Sequence, residues 1–90
     1  MRVTLICIDK PGALQLRLDN RPAHLAHIQS TGVVEMAGPF LDEGGQMTGS
    51  LIVLEVPDLD AAHAWAEADP YAKAGLFESV SIREWKKVIG

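Results

Sequence analysis

Apolar and β-branched residues gather in four segments of the chain. The first three are Arg2 to Ile8, Val33 to Phe40 and Thr48 to Val56, and the last is Leu76 to Val88. Segments of this composition, bounded by Gly, Pro and Asp, are typical of β-strands. The polar, glycine-rich stretch Leu41 to Met47 joins the second segment to the third. The pattern therefore predicts an antiparallel hairpin at this point.

Between the first two predicted strands, apolar residues recur at helical spacing. One stripe is formed by Leu14, Leu18, Leu25 and Ile28. Pro22 interrupts this stripe, and proline fits the first turn of a helix better than its interior. The sequence therefore predicts a short helix over Ala13–Leu18 and a second helix from about Pro22 to Ser30, which Gly32 ends.

A further helix is predicted between the third and fourth strands. Asp58 is a suitable N-cap, and the apolar spacing that follows it continues to about Ala68. Asp69 and Pro70 then start a short turn or helix over Tyr71–Ala74. The complete order is β-α-β-β-α-β, which is the ferredoxin-like arrangement of the α+β class: an antiparallel sheet with its helices on one face.

The composition is that of one small domain, residues 1–90, with 48% hydrophobic residues. Two helices cover only one face of a four-stranded sheet, yet residues 51–54 are all apolar, which indicates a strand buried on both faces. We therefore expect a homodimer in which two sheets pack together as an α/β barrel, and assembly beyond a dimer is left open. A monomer that exposes some apolar residues is the alternative.

Charge and the length of apolar runs limit the possible partners of the protein, and the cysteine content indicates its compartment. The formal net charge is −4 and no basic stripe is present, so nucleic-acid binding is not expected. No apolar run approaches the roughly 20 residues that cross a bilayer, so no membrane partner is expected either. Cys7 is the only cysteine, which excludes an intrachain disulfide and favours a reducing compartment, the cytoplasm.

Candidate chemistry is concentrated in the stretch from Arg17 to Ile28. Arg17, Arg21 and His24 stand at i, i+4 and i+7, so they would share one face if the helix were continuous. The predicted break at Pro22 weakens this geometry for Arg17 and leaves Arg21 and His24 together. Arginine binds carboxylate, phenolate or enolate oxygens, and histidine transfers protons near neutral pH. The alternative is that these side chains are simply solvated.

One residue outside this stretch is a further candidate for the same site. Asp69, just before Pro70, suits the N-cap of a short helix, and its carboxylate also suits a partner for the Nδ1 proton of His24. His24 and His27 have the spacing of a metal-binding pair, but no further ligand supports a metal site, so none is expected. No phosphate-binding loop or dinucleotide motif is present, and we expect no cofactor.

Several strings of the sequence resemble the YCII-related family. They are RPAHLAHI at 21–28, AGP at 37–39, TGSLIV at 48–53, AWAEADPY at 64–71 and VSIREWKKV at 80–88. The resemblance extends over essentially the whole chain and rests on the order and spacing of these strings. It implies a ferredoxin-like fold that dimerises as an α/β barrel.

The resemblance also implies a site. His24 and Asp69 match the family's catalytic pair, and Arg17, Arg21, Pro39 and Ser50 match neighbouring, substrate-binding positions. A small-molecule enzyme without a cofactor is implied, a lyase of dehydrochlorinase type or a hydrolase. Its substrate would be a small anionic or hydroxylated aromatic compound. The alternative is a non-catalytic module that binds a metabolite in the same cleft.

Overall fold

The computed structural model describes all 90 residues, and the predicted ferredoxin-like βαββαβ order is confirmed. The elements are β1 (Arg2–Asp9), α1 (Leu14–Thr31), β2 (Val34–Leu41), β3 (Met47–Glu55), α2 (Leu59–Ala68), α3 (Pro70–Lys73) and β4 (Phe77–Glu84). The strands form one antiparallel sheet in the order β2-β3-β1-β4, so β3 and β1 are central.

The core lies between the central strands and α2. Every second residue of β1 points into it, and the inward residues of β3 and the apolar face of α2 complete it. The cluster comprises Val3, Leu5, Cys7, Ile52, Leu54, Val56, Ala62 and Trp65. The opposite face of the sheet is not covered by a helix, and Ile6, Ile8 and Met36 stay 38%, 40% and 53% exposed there.

Helix α1 runs without a break through Pro22, so the prediction of two separate helices is wrong. Pro22 has no backbone N–H, which leaves the carbonyl of Leu18 without its helical partner and costs about 3 kcal/mol. The helix continues because its two buried side chains, Arg17 and His24, lie on either side of the proline and anchor both halves. Gly32 ends the helix as predicted, at a φ of 66°.

The side of α1 that faces the protein is polar. Arg17 and His24 are 3% and 6% exposed, whereas Leu18 and Leu25 are 41% and 45% exposed. Leu18 and Leu25 of the predicted apolar stripe therefore do not pack inward, whereas Ile28, its last member, packs against the core. Positions 17, 24 and 28 share the inward face at helical spacing.

The strands lie within one residue of their predicted bounds, except at the C-terminal end of β4. Gly38 and Pro39 lie inside β2 rather than closing it, because β2 is an edge strand and an edge tolerates a residue without an N–H. Strand β4 ends at Glu84, earlier than predicted. Glu84 pairs with Val3, close to the first residue of β1, so β1 offers almost nothing further to pair with.

Gly49 fixes the approach of β3 to its neighbour. A Cβ atom at this position would collide with the carbonyl oxygen of Cys7 and would lie 3.2 Å from the ring of Phe40. Only glycine therefore allows β1 and β3 to lie this close together beside Ser50.

No helix of the protein has both the length and the apolar character needed to cross a membrane.

Candidate functional site

A cavity of about 130 Å³ opens between α1 and strands β2 and β3. Its polar wall is formed by Arg17, Arg21, His24, Ser50 and Tyr71, and its apolar wall by Leu25, Ile28, Ala37, Pro39, Met47 and Ile52. Five of the six site residues predicted from the sequence line this cavity. The sixth, Asp69, lies directly behind His24.

His24 and Asp69 form a buried pair, although 45 positions separate them in the sequence. Nδ1 of His24 lies 2.8 Å from Oδ1 of Asp69, and the side chains are 8% and 2% exposed. An ionised carboxylate only accepts hydrogen bonds, so Nδ1 carries the proton and donates it, which leaves the lone pair on Nε2. Nε2 has no protein partner and is not sealed from solvent, so a ligand in the cavity reaches it.

Asp69 caps a helix and orients His24 with the same oxygen atom. Oδ1 accepts the backbone N–H of Tyr71 at 3.0 Å as well as the imidazole Nδ1–H. The two roles weighed from the sequence therefore coexist on one atom. Pro70 follows in the first turn of α3, and Asp69 itself is 1% exposed, so the carboxylate has a fixed position behind the imidazole.

A second buried pair joins α1 to β1. Nε and Nη2 of Arg17 donate to the two carboxylate oxygens of Asp9 at 2.7 and 2.9 Å, and Nη2 also donates to Oγ of Ser50 at 2.9 Å. Burial alone would lower the pKa of Arg17, but its hydrogen bonds to Asp9 and the negative charge of that residue outweigh burial, and the pKa is raised.

Asp9 follows the last residue of the first predicted strand, and its buried role was not predicted from the sequence. The signal was present in the alternation of β1, because Val3, Leu5, Cys7 and Asp9 fall on the same face of the strand. A carboxylate that continues a buried apolar face needs a buried partner. Arg17 is that partner, so its charge is neutralised within the protein. Arg21 forms no ion pair and is the cavity's free guanidinium.

Tyr71, in α3, contributes an aromatic surface to the site that was not predicted from the sequence. Its ring is stacked on the imidazole of His24, with ring centroids 3.9 Å apart and planes 16° apart. The Arg17 guanidinium carbon lies 4.7 Å from the centroid of the same ring. Burial raises the pKa of Tyr71 and the nearby positive charges of Arg17 and Arg21 only partly oppose it, so the phenol stays protonated at neutral pH.

The other titratable candidates lie away from this chemistry. The ring of His27 turns towards α2, where Nε2 donates to the carbonyl of Trp65 at 3.1 Å, so His27 does not join His24 in one site. His63 is exposed on α2. Burial, with a smaller contribution from the negative charge of Asp69, raises the pKa of Cys7 to about 12, so its thiol is a core group and not a nucleophile.

Known proteins match the chain over nearly its whole length. The profile of the YCII-related domain matches residues 1–86. Protein YciI of Escherichia coli O6:H1 is 45% identical in an alignment of 89 positions, and the alignment covers 89% of this chain and 91% of that protein. An uncharacterized protein of Haemophilus influenzae is 34% identical in an alignment of 97 positions, and the alignment covers 98% of this chain and 99% of that protein.

Solved structures also match this chain over nearly its whole length. The fold matches 5-chloro-2-hydroxyhydroquinone dehydrochlorinase from Burkholderia phenoliruptrix AC1100, solved in complex with 2,5-dihydroxybenzoquinone. The TM-score is 0.87 and the identity 36%, over 96% of this chain and 94% of that one. An antibiotic biosynthesis monooxygenase shares the fold at a TM-score of 0.61 and 13% identity, over 98% of both chains.

Proposed function

The chain belongs to the YCII-related family, as its motifs predicted, and from that premise we propose that it is a small-molecule enzyme. His24 acts as general base and acid, and Asp69 holds it in the tautomer that this task requires. One observation carries the proposal: Nδ1 of His24 is bonded to a buried carboxylate while Nε2 is open to a cavity. No cofactor is needed for proton transfer of this kind.

The walls of the cavity suit a small, flat and oxygen-rich compound. Arg21 is available for a negatively charged oxygen, because Asp9 already neutralises Arg17. Ser50 accepts a hydrogen bond from Arg17, so its own hydroxyl hydrogen is free for a ligand oxygen. The apolar wall contacts the faces of the ring. A cavity of about 130 Å³ is comparable to the roughly 150 Å³ that accommodates benzene in an engineered site.

We propose a lyase reaction of the dehydrochlorinase type on a hydroxylated aromatic compound. Nε2 takes the proton of a ring hydroxyl and returns a proton to the ring carbon that carries the chlorine. Loss of a second hydroxyl proton then accompanies departure of chloride with its bonding electrons, and a quinone remains. The net change is loss of HCl, and the dehydrochlorinase that matches this fold at 36% identity supports this substrate class.

The test is chloride release from 5-chloro-2-hydroxyhydroquinone by the wild-type protein and by His24→Gln. General acid–base catalysis is worth about 10²–10⁴-fold, so turnover should fall by that factor while 2,5-dihydroxybenzoquinone still binds. His63→Gln is the matched control, because that histidine is exposed on α2, outside the cavity. Binding without turnover in the wild type would favour the alternative, a metabolite-binding module.

We also propose that the protein is a homodimer joined through the sheet face without helices. Ile6, Met36, Leu51, Val53 and Trp85 line an apolar depression there of about 410 Å³. A second copy would remove this surface from water. Sedimentation should give twice the chain mass, and Ile6→Lys should give the monomer.

We place the protein in the cytoplasm, in keeping with its one cysteine, which is a free thiol.

A further inference from the structure

The ring of Tyr71 lies between two buried polar side chains of α1, those of Arg17 and His24. Residues 17 and 24 are seven positions apart, which corresponds to about 10.5 Å along a helix. The Tyr71 ring is in contact with both, at 4.7 Å from the guanidinium carbon of Arg17 and 3.9 Å from the imidazole centroid of His24. One aromatic side chain therefore occupies the space between the two buried positions of the helix.

The position of this ring is itself well determined. Tyr71 is 2% exposed, and its edge meets the ring of Phe77 at a centroid distance of 6.0 Å and an angle of 81°. Its backbone N–H donates to Oδ1 of Asp69, and its carbonyl accepts the N–H of Leu76 at 3.1 Å. The main chain of α3 is thereby fixed immediately beside the aspartate that bonds to His24.

The hydrogen bond from Nδ1 does not by itself fix the imidazole. The bond holds Nδ1 beside Oδ1, but coupled rotations about the Cα–Cβ and Cβ–Cγ bonds of His24 can still tilt the ring plane. A nearly parallel ring at 3.9 Å prevents that tilt, because rotation would bring the imidazole into the face of Tyr71. Two contacts from one turn, the carboxylate of Asp69 and the ring of Tyr71, together define the direction of Nε2.

We propose that Tyr71 is a positioning residue, which holds the plane of His24 so that Nε2 points into the cavity. The ring performs this task and the hydroxyl is not required for it. This inference deepens the proposed function, since the catalytic value of the orientation rests on that function. The orientation itself does not depend on which compound is turned over.

The first test is NMR spectroscopy of the histidine rings in the wild type, Tyr71→Phe, Tyr71→Leu and Tyr71→Met. The ring protons of His24 should be shifted upfield by the stacked ring in the wild type and in Tyr71→Phe. In the leucine and methionine variants this shift disappears with the aromatic ring itself, so the orientation is followed there by the Nδ1 proton of His24. That proton should exchange faster with water, because a tilting imidazole keeps its hydrogen bond to Asp69 for less of the time. His27 and His63 serve as internal controls, because Tyr71 stacks on neither of them.

The second test is turnover in the same four proteins. Misplacement of a catalytic group by about 1 Å costs about 10²-fold, so Tyr71→Leu should lose about 10- to 100-fold in kcat while Tyr71→Phe stays within about twofold. An absent upfield shift in the wild type would overturn the inference even if no variant folds. Equal losses in the phenylalanine and leucine variants would overturn it too, since the hydroxyl would then be responsible.

The two proposals fail in different ways. If the compounds tested are not turned over, the NMR comparison still decides whether Tyr71 holds His24. If turnover is found but the Nδ1 proton of His24 exchanges no faster with water in Tyr71→Leu and Tyr71→Met than in the wild type, the proposed function stands and the positioning role is refuted.

Discussion

Two buried pairs of opposite character connect α1 to the rest of the molecule. Asp9 and Arg17 meet through two hydrogen bonds, and a third joins Arg17 to Ser50. Asp69 and His24 meet through one hydrogen bond, and the second ring nitrogen of His24 stays open to the cavity. Arg17 and His24, the members that α1 contributes, lie on one face of the helix and are less than two full turns apart.

The difference between the pairs is the ability to exchange a proton. A guanidinium keeps its charge at every pH that proteins tolerate, so the Asp9–Arg17 pair is electrostatically constant. An imidazole gains and loses its proton in the physiological range. In the proposed function α1 presents a proton-transfer group in one direction, and a pair whose charge does not change fixes the same helix two turns away.

The largest expected effect comes from breaking the constant pair. Arg17→Met leaves the carboxylate of Asp9 buried without a partner, and such losses cost about 3–5 kcal/mol of unfolding free energy. The double variant Asp9→Leu with Arg17→Met removes both charges and should recover most of this loss. Urea unfolding at fixed protein concentration measures both. A single variant that costs less than about 1 kcal/mol would show that this pair does not anchor the helix.

The second largest expected effect is a pH dependence of stability caused by Cys7. Burial, and after it the negative charges of Asp69 and Asp9, raise the pKa of its thiol, whereas the charge of Arg17 lowers it. The folded thiol titrates at about 12 and the unfolded thiol at 9.0, so the stabilisation is complete below pH 9 and is lost as the pH rises to 12. Three pH units correspond to about 4 kcal/mol at most. Unfolding free energies across this range should fall less steeply in Cys7→Ala, and an identical slope would contradict the assignment.

The smallest expected effect comes from the titratable pair. In Asp69→Asn the amide oxygen still accepts from His24 and from the backbone of Tyr71, so the unfolding free energy should change by about 1 kcal/mol or less. Chemical denaturation of this variant beside Arg17→Met compares the two pairs directly. A loss as large as that of Arg17→Met would remove the distinction, because both pairs would then be structural anchors.

The sequence was sufficient to predict the fold and five of the twelve residues that line the cavity. Strand patterns and turns specified the βαββαβ order, and family motifs pointed to His24 and Asp69 before any distance was known. The continuity of α1 was not predictable from local propensity, because tertiary contacts of Arg17 and His24 outweigh the cost of Pro22. The inward face of α1 was misassigned for the same reason: its buried side chains are polar, and periodicity analysis counts apolar ones.

The role of Asp9 was missed because the partner of a buried charge is a property of the folded chain. The alternation of β1 placed a carboxylate on the core face, but nothing local identified Arg17, eight residues later, as its partner. The stack of Tyr71 on His24 is a contact of the same kind, because it joins residues from two helices that are distant in sequence.

The absent side chain at Gly49 limits how this cavity can change over evolutionary time. Any substitution there drives a carbon into the backbone of β1, so the residue that precedes Ser50 offers no neutral variants from which a new specificity could start. Leu25, Ala37 and Met47 line the same cavity at positions that are at least partly exposed. Substitutions that change which compound the cavity accepts are therefore expected at these three positions rather than at residue 49.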